Sequence, residues 1–370
     1  MAKQAKHDLR TQVGQLLIMG FDGTEMSPKL RTMISTLQPG GVILFRRNIE
    51  VAQQTFDLVR ECKRSVQDPL FTCVDLEGGT VDRLRDLVAP APSVADVVAT
   101  GSKKLYRKHG RLLGEESRAF GFNTDFAPVL DLRFEPSLTV LGSRTASDNP
   151  KATVKYAREM LRGLKDVGVL GCGKHFPGLG EANLDTHHEL PSIEKPWKKL
   201  WKEDLAPYRD LRKELPFVMV AHAAYPQVTK DATPASISKK WISEILHQKV
   251  GYRGLVISDD LEMGGVQKAA LIEDAAIQTL LAGADIFLVC HNEEYVWRSY
   301  EKVLTTAEKD KKFAKLVGER ANRVLAMKKK AKELRWKANA PSQKSVEKLK
   351  RKVWEFTEEV RLNTDTTRNA

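Results

Sequence analysis

The residues best suited to chemistry in this chain of 370 residues are a carboxylate after an apolar run and an aspartate–histidine pair on a loop. Asp259 follows the run Leu255-Val-Ile, so a rigid strand would hold its carboxylate where it can act as a nucleophile or stabilise a charge. Asp185 and His187 are two residues apart, which lets the carboxylate accept the histidine N–H and raise its basicity. Such a pair can donate a proton to a leaving group and later take one from water. A polar loop held by Asx-type hydrogen bonds is the alternative interpretation.

Several further side chains would supply hydrogen-bond donors to a ligand beside these groups, namely Arg83, Arg144, Lys174 and His175. Any one of them alone is more simply explained as a surface cation. Together they suit a ligand rich in hydroxyl and carbonyl groups, such as a sugar. The segment 175–195 contains too many Gly, Pro and polar residues for a helix, and it is longer than the usual connection of about 2–6 residues after a strand. We therefore expect it to be a functional loop.

The sequence lacks the motifs of metal sites, nucleotide-binding sites and serine nucleophiles. His187 and His188 are adjacent and no His-x-His occurs, whereas barrel metallohydrolases usually place two ligands at that spacing. The sequence has no P-loop, no G-x-G-x-x-G turn and no G-x-S-x-G elbow. We therefore expect no metal and no cofactor.

The elements that must position these residues are eight continuous apolar runs with helix-like stretches between them. Continuous rather than alternating hydrophobicity is typical of strands buried on both faces, hence of a parallel sheet flanked by helices. Eight such units predict an α/β fold, a single-domain TIM-like (β/α)8 barrel, and a doubly wound open sheet is the main alternative. The runs are residues 13–20, 41–45, 70–75, 122–131, 169–174, 217–222, 254–258 and 285–290.

Polar side chains at the ends of these runs favour the barrel, because the strand ends of a barrel converge on one mouth where active sites are built. Helix capping would explain Asp260 but not the pair Lys174-His175 or the lone His222. The run ends concerned are Arg46-Arg47, Asp75, Asp131, Lys174-His175, His222 and Asp259-Asp260.

The amino-acid composition is typical of a globular protein. Hydrophobic residues make up 42% and charged residues 29%, and no apolar stretch approaches the length of a membrane span. The polar N-terminus lacks a signal-peptide pattern. Cys62, Cys73, Cys172 and Cys290 are widely spaced, which is typical of reduced cysteines in a cytoplasmic protein.

The formal charge of +12 is concentrated at the C-terminus: residues 311–370 carry 18 Lys+Arg and 7 Asp+Glu, which leaves 42 and 41 in the rest. A patch for nucleic acid or another anionic surface is one interpretation. A solvated helix that packs Val346, Leu349, Val353 and Phe356 on the body is the favoured one, because no aromatic residues alternate with the charges. We predict a catalytic domain over residues 1–337. A linker, a basic helix and an end frayed from Asn363 would follow over 338–370.

The loop sequence resembles a family signature. Residues 174–187 read KHFPGLGEANLDTH and are similar to the K-H-F-P-G-H-G-x-T-x-x-D-S-H motif of glycoside hydrolase family 3 β-N-acetylglucosaminidases. Residues 75–79 with Arg83 resemble that family's D-Q-E-G-G-R-V-x-R. Further matches follow in order at residues 123–131, 141–144, 218–226 and 256–263, so the resemblance covers residues 10–325.

The resemblance implies a retaining exo-acting β-N-acetylhexosaminidase. Asp259 would be the nucleophile that forms a glycosyl-enzyme, and His187 the general acid/base supported by Asp185. Asp75 would hold sugar hydroxyls, with Arg83, Arg144, Lys174 and His175 lining the N-acetylglucosamine site. The one-domain form resembles cytoplasmic enzymes that recycle peptidoglycan, so muropeptides are the expected substrate.

The departures from the family pattern do not fall on reacting groups. Leu179, Ala182 and Leu76 stand where the family has His, Thr and Gln, so we expect the hydrogen bonding and the closed shape of the loop to differ from those of the family. Thr80 replaces an Arg near the mouth, so we expect the preference for the leaving group to differ from that of the family.

Two alternatives to the hydrolase stay open. A phosphorylase would use the same residues, since a His acid/base repels phosphate less than a Glu does. A catalytically weak carbohydrate- or nucleic-acid-binding protein would use the basic C-terminus, and would lose its partner on deletion of 340–370 while a glycosidase would keep its turnover. We expect a small carbohydrate as the ligand, no nucleic acid, no membrane span and a monomer.

Overall fold

Eight parallel strands close into a barrel in the computed structural model, which describes residues 7–182, 189–335 and 339–368. The strands are β1 (Leu17–Met19), β2 (Gly41–Ile43), β3 (Phe71–Val74), β4 (Leu76–Gly78), β5 (Val81–Asp82), β6 (Thr124–Asp125), β7 (Leu170–Phe176), β8 (Phe217–Val220), β9 (Leu255–Asp260) and β10 (Ile286–Val289). The barrel order is β1-β10-β9-β8-β7-β6-β3-β2, and β4 and β5 form a separate antiparallel hairpin directly after β3. This confirms the predicted (β/α)8 barrel.

Helices surround the barrel and connect its strands. They are α1 (Leu9–Gly14), α2 (Pro28–Leu37), α3 (Ala52–Arg64), α4 (Val94–Ala99), α5 (Lys103–Ala119), α6 (Pro150–Asp166), α7 (Trp197–Lys202), α8 (Ala206–Leu211), α9 (Pro226–Thr229), α10 (Gly264–Gln267), α11 (Ile272–Ala282), α12 (Glu293–Lys309), α13 (Lys311–Lys330) and α14 (Gln343–Arg368). Lys240–Lys249 is a π-helix, and short 3-10 turns occupy Arg46–Asn48, Glu135–Ser137, Gly142–Arg144, Ala235–Ile237 and Lys332–Arg335.

Each of the eight predicted apolar runs contains a barrel strand, with differences at the boundaries. The first run begins in α1 because the Asp8 carboxylate caps that helix by accepting from the Thr11 N–H, and the strand starts only at Leu17. The stretch 196–213 forms two helices rather than one, and Pro207 stands in the first turn of the second, where a missing N–H costs nothing.

The core consists of the inward side chains of the strands and the layer between strands and helices. Phe71 and Phe217 meet edge-to-face inside the barrel, with ring centroids 5.1 Å apart. All four cysteines are free and buried, as the sequence predicts. Within the described ranges, none of the helices is long and apolar enough to cross a membrane.

The basic C-terminal helix α14 packs against α4 and α5. Leu349, Val353, Phe356 and Val360 are buried on its inner face and belong to the same apolar core as the barrel. The helix continues through residues 363–368, which the sequence analysis assigned to a frayed end. The bulk of the extension is therefore a packed helix with its charges on the outer face.

Candidate active site

The β4–β5 hairpin follows β3 at the carboxyl end of the barrel and carries the first acidic residue of the site. Asp75 lies between β3 and β4, with Oδ1 2.9 Å from the Lys174 Nζ and Oδ2 3.5 Å from the Arg83 guanidinium. Lys174 comes from β7, which is separated from β3 by one strand, β6, in the barrel order. The predicted residues Asp75, Arg83 and Lys174 therefore meet in one ion-pair network.

Glu77 is a member of this network that the sequence analysis did not single out. Its side chain is 1% exposed and binds Arg144 in a two-bond fork at 2.8 and 2.9 Å. Its Oε1 also lies 2.7 Å from the Lys174 Nζ. The only signal in the sequence was the match of residues 75–79 to the family motif, in which Glu77 is the central acid.

Burial and neighbouring charge act in opposite directions on these groups. Burial raises the pKa of Asp75 and of Glu77, but the ammonium of Lys174 and the guanidinium groups outweigh it. The pKa of Asp75 is held well below its usual range, and that of Glu77 falls to about 2. Burial lowers the pKa of Lys174, but Asp75 and Glu77 raise it above its ordinary value. The network is therefore fully ionised across the physiological range.

His175 is oriented by Asp131, the polar residue that ends the fourth predicted run. The Asp131 carboxylate accepts from the His175 backbone N–H at 3.2 Å and lies 2.6 Å from Nδ1 of the same residue. Its other oxygen accepts from the Leu179 N–H at 2.7 Å. One buried carboxylate therefore orients the imidazole and anchors the start of the long loop.

Asp259 lies near the end of β9 on the opposite wall. Its Oδ1 accepts from the Asp260 N–H at 2.9 Å. The neighbouring Asp260 carboxylate is 8% exposed and accepts from the backbone N–H groups of Glu262 and Cys290. Burial, with Glu262 and Asp259 nearby, raises the pKa of Asp260 to about 8. Asp260 is therefore a neutral acid at pH 7.

One cavity of about 360 Å³ connects these residues, a volume within the range of small-molecule sites. Its apolar wall includes Phe45, Phe126 and Met219. The structure brings together six of the eight predicted site residues around it, namely Asp75, Arg83, Arg144, Lys174, His175 and Asp259. Asp185 and His187 lie outside the described residues.

Other polar strand ends serve the framework. His222 is fully buried, with Nε2 2.8 Å from the Asp260 carbonyl and Nδ1 2.7 Å from the Ser236 hydroxyl. A carbonyl can only accept, so Nε2 carries the proton. His222 therefore supports the end of β9 and does not line the cavity.

A buried lysine joins the two described ends of the long loop. The Lys195 side chain is 0% exposed, and its Nζ lies 2.6 Å from Asp204, 2.7 Å from Glu203 and 3.2 Å from Glu181. The ammonium also lies 4.2 Å from the centroid of the Phe134 ring. Glu181 precedes the segment 183–188 and Lys195 follows it, so this cluster closes the base of the loop.

The described residues contain no group of three or more His, Cys, Asp or Glu side chains arranged to hold a metal ion. The donor set around the cavity instead mixes carboxylates with Lys and Arg. Those are partners for hydroxyl, carbonyl and amide groups rather than for a metal.

Comparison with known proteins gives consistent matches. Residues 8–327 match the glycosyl hydrolase family 3 N terminal domain. A Beta-hexosaminidase of Bordetella parapertussis is 38% identical over 280 residues, which cover 74% of this chain and 78% of the relative.

Two solved structures show the same architecture. A glycoside hydrolase family 3 beta-N-acetylglucosaminidase from Paenibacillus sp. str. FPU-7 superimposes with a TM-score of 0.89 at 31% identity, over 96% of this chain and 69% of that chain. Native NagZ from Neisseria gonorrhoeae gives a TM-score of 0.75 at 28% identity, over 93% of this chain and 97% of that chain.

Proposed function

The chain belongs to glycoside hydrolase family 3, and from that premise we propose that it is a retaining exo-β-N-acetylglucosaminidase. It removes terminal β-linked N-acetylglucosamine. The observation that carries this proposal is the placement of Asp259 in the wall of the cavity that also holds the Asp75, Lys174 and Arg144 network. A carboxylate and a set of sugar-binding groups are thereby combined in one site for one pyranose ring.

In the first step an Asp259 carboxylate oxygen attacks C1 of the sugar. The C1–O bond to the leaving group breaks, and His187, supported by Asp185, gives its proton to the departing oxygen. In the second step His187 takes a proton from water, whose oxygen forms a new bond to C1 and releases Asp259. Two inversions at C1 give retention of configuration.

The charged network holds the sugar. Asp75 is ionised, so its oxygens accept hydrogen bonds from ring hydroxyls, while Arg83 and Lys174 fix its position. The fork between Arg144 and Glu77 fixes one edge of the guanidinium, and the remaining N–H groups of Arg144 can donate to hydroxyl or acetamido oxygens. Binding energy from these contacts keeps C1 near the nucleophile.

Muropeptides derived from peptidoglycan are the proposed natural substrates, and the cytoplasm the proposed site of action. Support for the substrate comes from the resemblance of residues 174–187 to the family signature.

The test compares an aryl β-N-acetylglucosaminide with the matched β-glucoside, each with and without phosphate. We expect hydrolysis of the first with retention, little turnover of the second and no effect of phosphate. Release of a sugar 1-phosphate would instead identify a phosphorylase. Equal rates on both glycosides would contradict specificity for the acetamido group.

A further inference from the structure

The β4–β5 hairpin rests directly on helix α5. Gly78 has φ of +82° and lies so close to its neighbours that a Cβ there would be 2.9 Å from the His109 Nε2 and 2.5 Å from the Pro92 carbonyl oxygen. Gly78 follows Glu77, the carboxylate that binds Arg144 and Lys174. The imidazole is therefore packed closely against the backbone next to the charged network.

His109 is completely buried and is also held by helix α6. Its Nδ1 lies 2.9 Å from the Tyr156 hydroxyl of α6. Burial lowers the pKa of His109 to about 3, so the imidazole is neutral at any pH at which the enzyme would work. It acts as a rigid flat spacer rather than as a charge.

The face of this imidazole is covered by the C-terminal helix α14. The Phe356 ring stacks on the His109 ring, with centroids 5.7 Å apart and planes 20° from parallel. Phe356 is 0% exposed. Ion pairs between α14 and α5, Lys352 with Glu115 and Lys108 with Glu359, hold the helix in register on either side.

We propose that Phe356 and His109 are positioning residues for the active site. The stacked rings fix how far the β4–β5 hairpin lies from helix α5. Through Gly78 they thereby fix the position of Glu77 and of the two cations that it binds. The effect on turnover rests on the proposed function, whereas the mechanical link does not. On this proposal, deletion of residues 340–370 raises KM at least as much as loss of the Phe356 ring does, whereas the expectation from the sequence alone is only that a glycosidase keeps its turnover.

The test uses the full chain with Phe356→Ala, and Leu349→Ala as the matched control. Leu349 is buried on the same helix seven residues away, so its truncation weakens the packing of α14 without removing the ring on His109. Phe356→Leu keeps most of the buried volume without the aromatic face, and it carries the test if Phe356→Ala does not fold.

The first readout is hydrogen exchange of the amides of residues 76–84, which needs no activity. Phe356→Ala should speed their exchange by about 10-fold or more, Phe356→Leu by less, and Leu349→Ala little. The second readout is hydrolysis of the aryl β-N-acetylglucosaminide. KM should rise about 10-fold in Phe356→Ala with kcat changed less than about 3-fold, because the hairpin holds binding groups while Asp259 lies on β9.

Equal exchange of the hairpin in Phe356→Ala and Leu349→Ala would overturn the proposal. The proposal would also be overturned if the changes in kcat and KM simply followed the loss of stability in all three variants, Phe356→Ala, Phe356→Leu and Leu349→Ala. An inactive wild-type chain would reject the proposed function, and hairpin exchange would still decide whether Phe356 positions the hairpin.

Discussion

The Lys174 Nζ lies 2.7 Å from the Glu77 carboxylate, and both side chains are almost fully buried. Lys174 also pairs with Asp75, and Glu77 with Arg144, so charges of opposite sign alternate through the wall of the cavity. Buried ions are costly unless each has its partner. The arrangement therefore ties the stability of the fold to the geometry of the sugar-binding groups.

Glu77→Gln should disturb stability and substrate binding together. The substitution leaves the buried Lys174 and the partly buried Arg144 with one carboxylate fewer, and we expect the free energy of unfolding at pH 7 to fall by about 3 kcal/mol. KM should rise because Arg144 loses its fork. Denaturant unfolding and steady-state kinetics measure the two effects. Glu355→Gln, which removes a partner of Arg351 on the outer face of α14, is the control and should change neither. A fully stable Glu77→Gln would contradict the ion-pair account.

Lys195→Met should destabilise the base of the long loop. It removes a fully buried ammonium and leaves Asp204, Glu203 and Glu181 facing one another. A loss of about 3 kcal/mol is expected. Lys199→Met is the matched control, because Lys199 binds the same Glu181 at 3.0 Å but is 51% exposed, so its loss should be below about 1 kcal/mol. Similar losses in both variants would show that burial of the Lys195 charge does not matter.

Asp260→Asn should change how stability depends on pH. The pKa of Asp260 in the folded chain is about 8, against an ordinary value of 3.8, so the folded state holds an extra proton between these values. Stability from this proton is complete below about pH 4 and is lost as the pH rises toward 8. The amide of the variant would mimic the neutral acid throughout. The stability of the variant relative to wild type, measured by urea unfolding, should therefore increase between pH 5 and 9. If the free energies of unfolding of the two proteins changed in parallel with pH, Asp260 would not carry the proton.

The sequence predicts the barrel well because each buried strand is a continuous apolar run that follows its own helix. It also predicts the mouth, since Asp75 and Lys174 end such runs and Asp259 directly follows one. The sequence did not predict the role of Glu77, because its three-residue strand has the glycines typical of a turn and its partner Arg144 is distant in the chain. The stack of Phe356 on His109 was not predicted, because an apolar stripe indicates that a helix packs on the body but not which residues it packs against.

His187→Ala should discriminate between substrates. A poor natural leaving group needs the proton, so its hydrolysis should fall by about 10²–10⁴-fold, whereas an activated aryl leaving group departs with much less help. Steady-state rates on a disaccharide and on a nitrophenyl glycoside measure the contrast. Equal losses on both would remove His187 from the role of general acid.

The central claim is that the Asp259 carboxylate attacks the sugar, and Asp259→Ala should lower kcat by at least ~10³. Trapping the glycosyl-enzyme tests it most directly, with a fluorinated N-acetylglucosaminide that forms the intermediate faster than water removes it. Mass spectrometry of the digested protein should then find one sugar bound to the peptide that contains Asp259, at the carboxylate. A sugar attached to another residue, or rapid turnover with inversion and no adduct, would contradict the account.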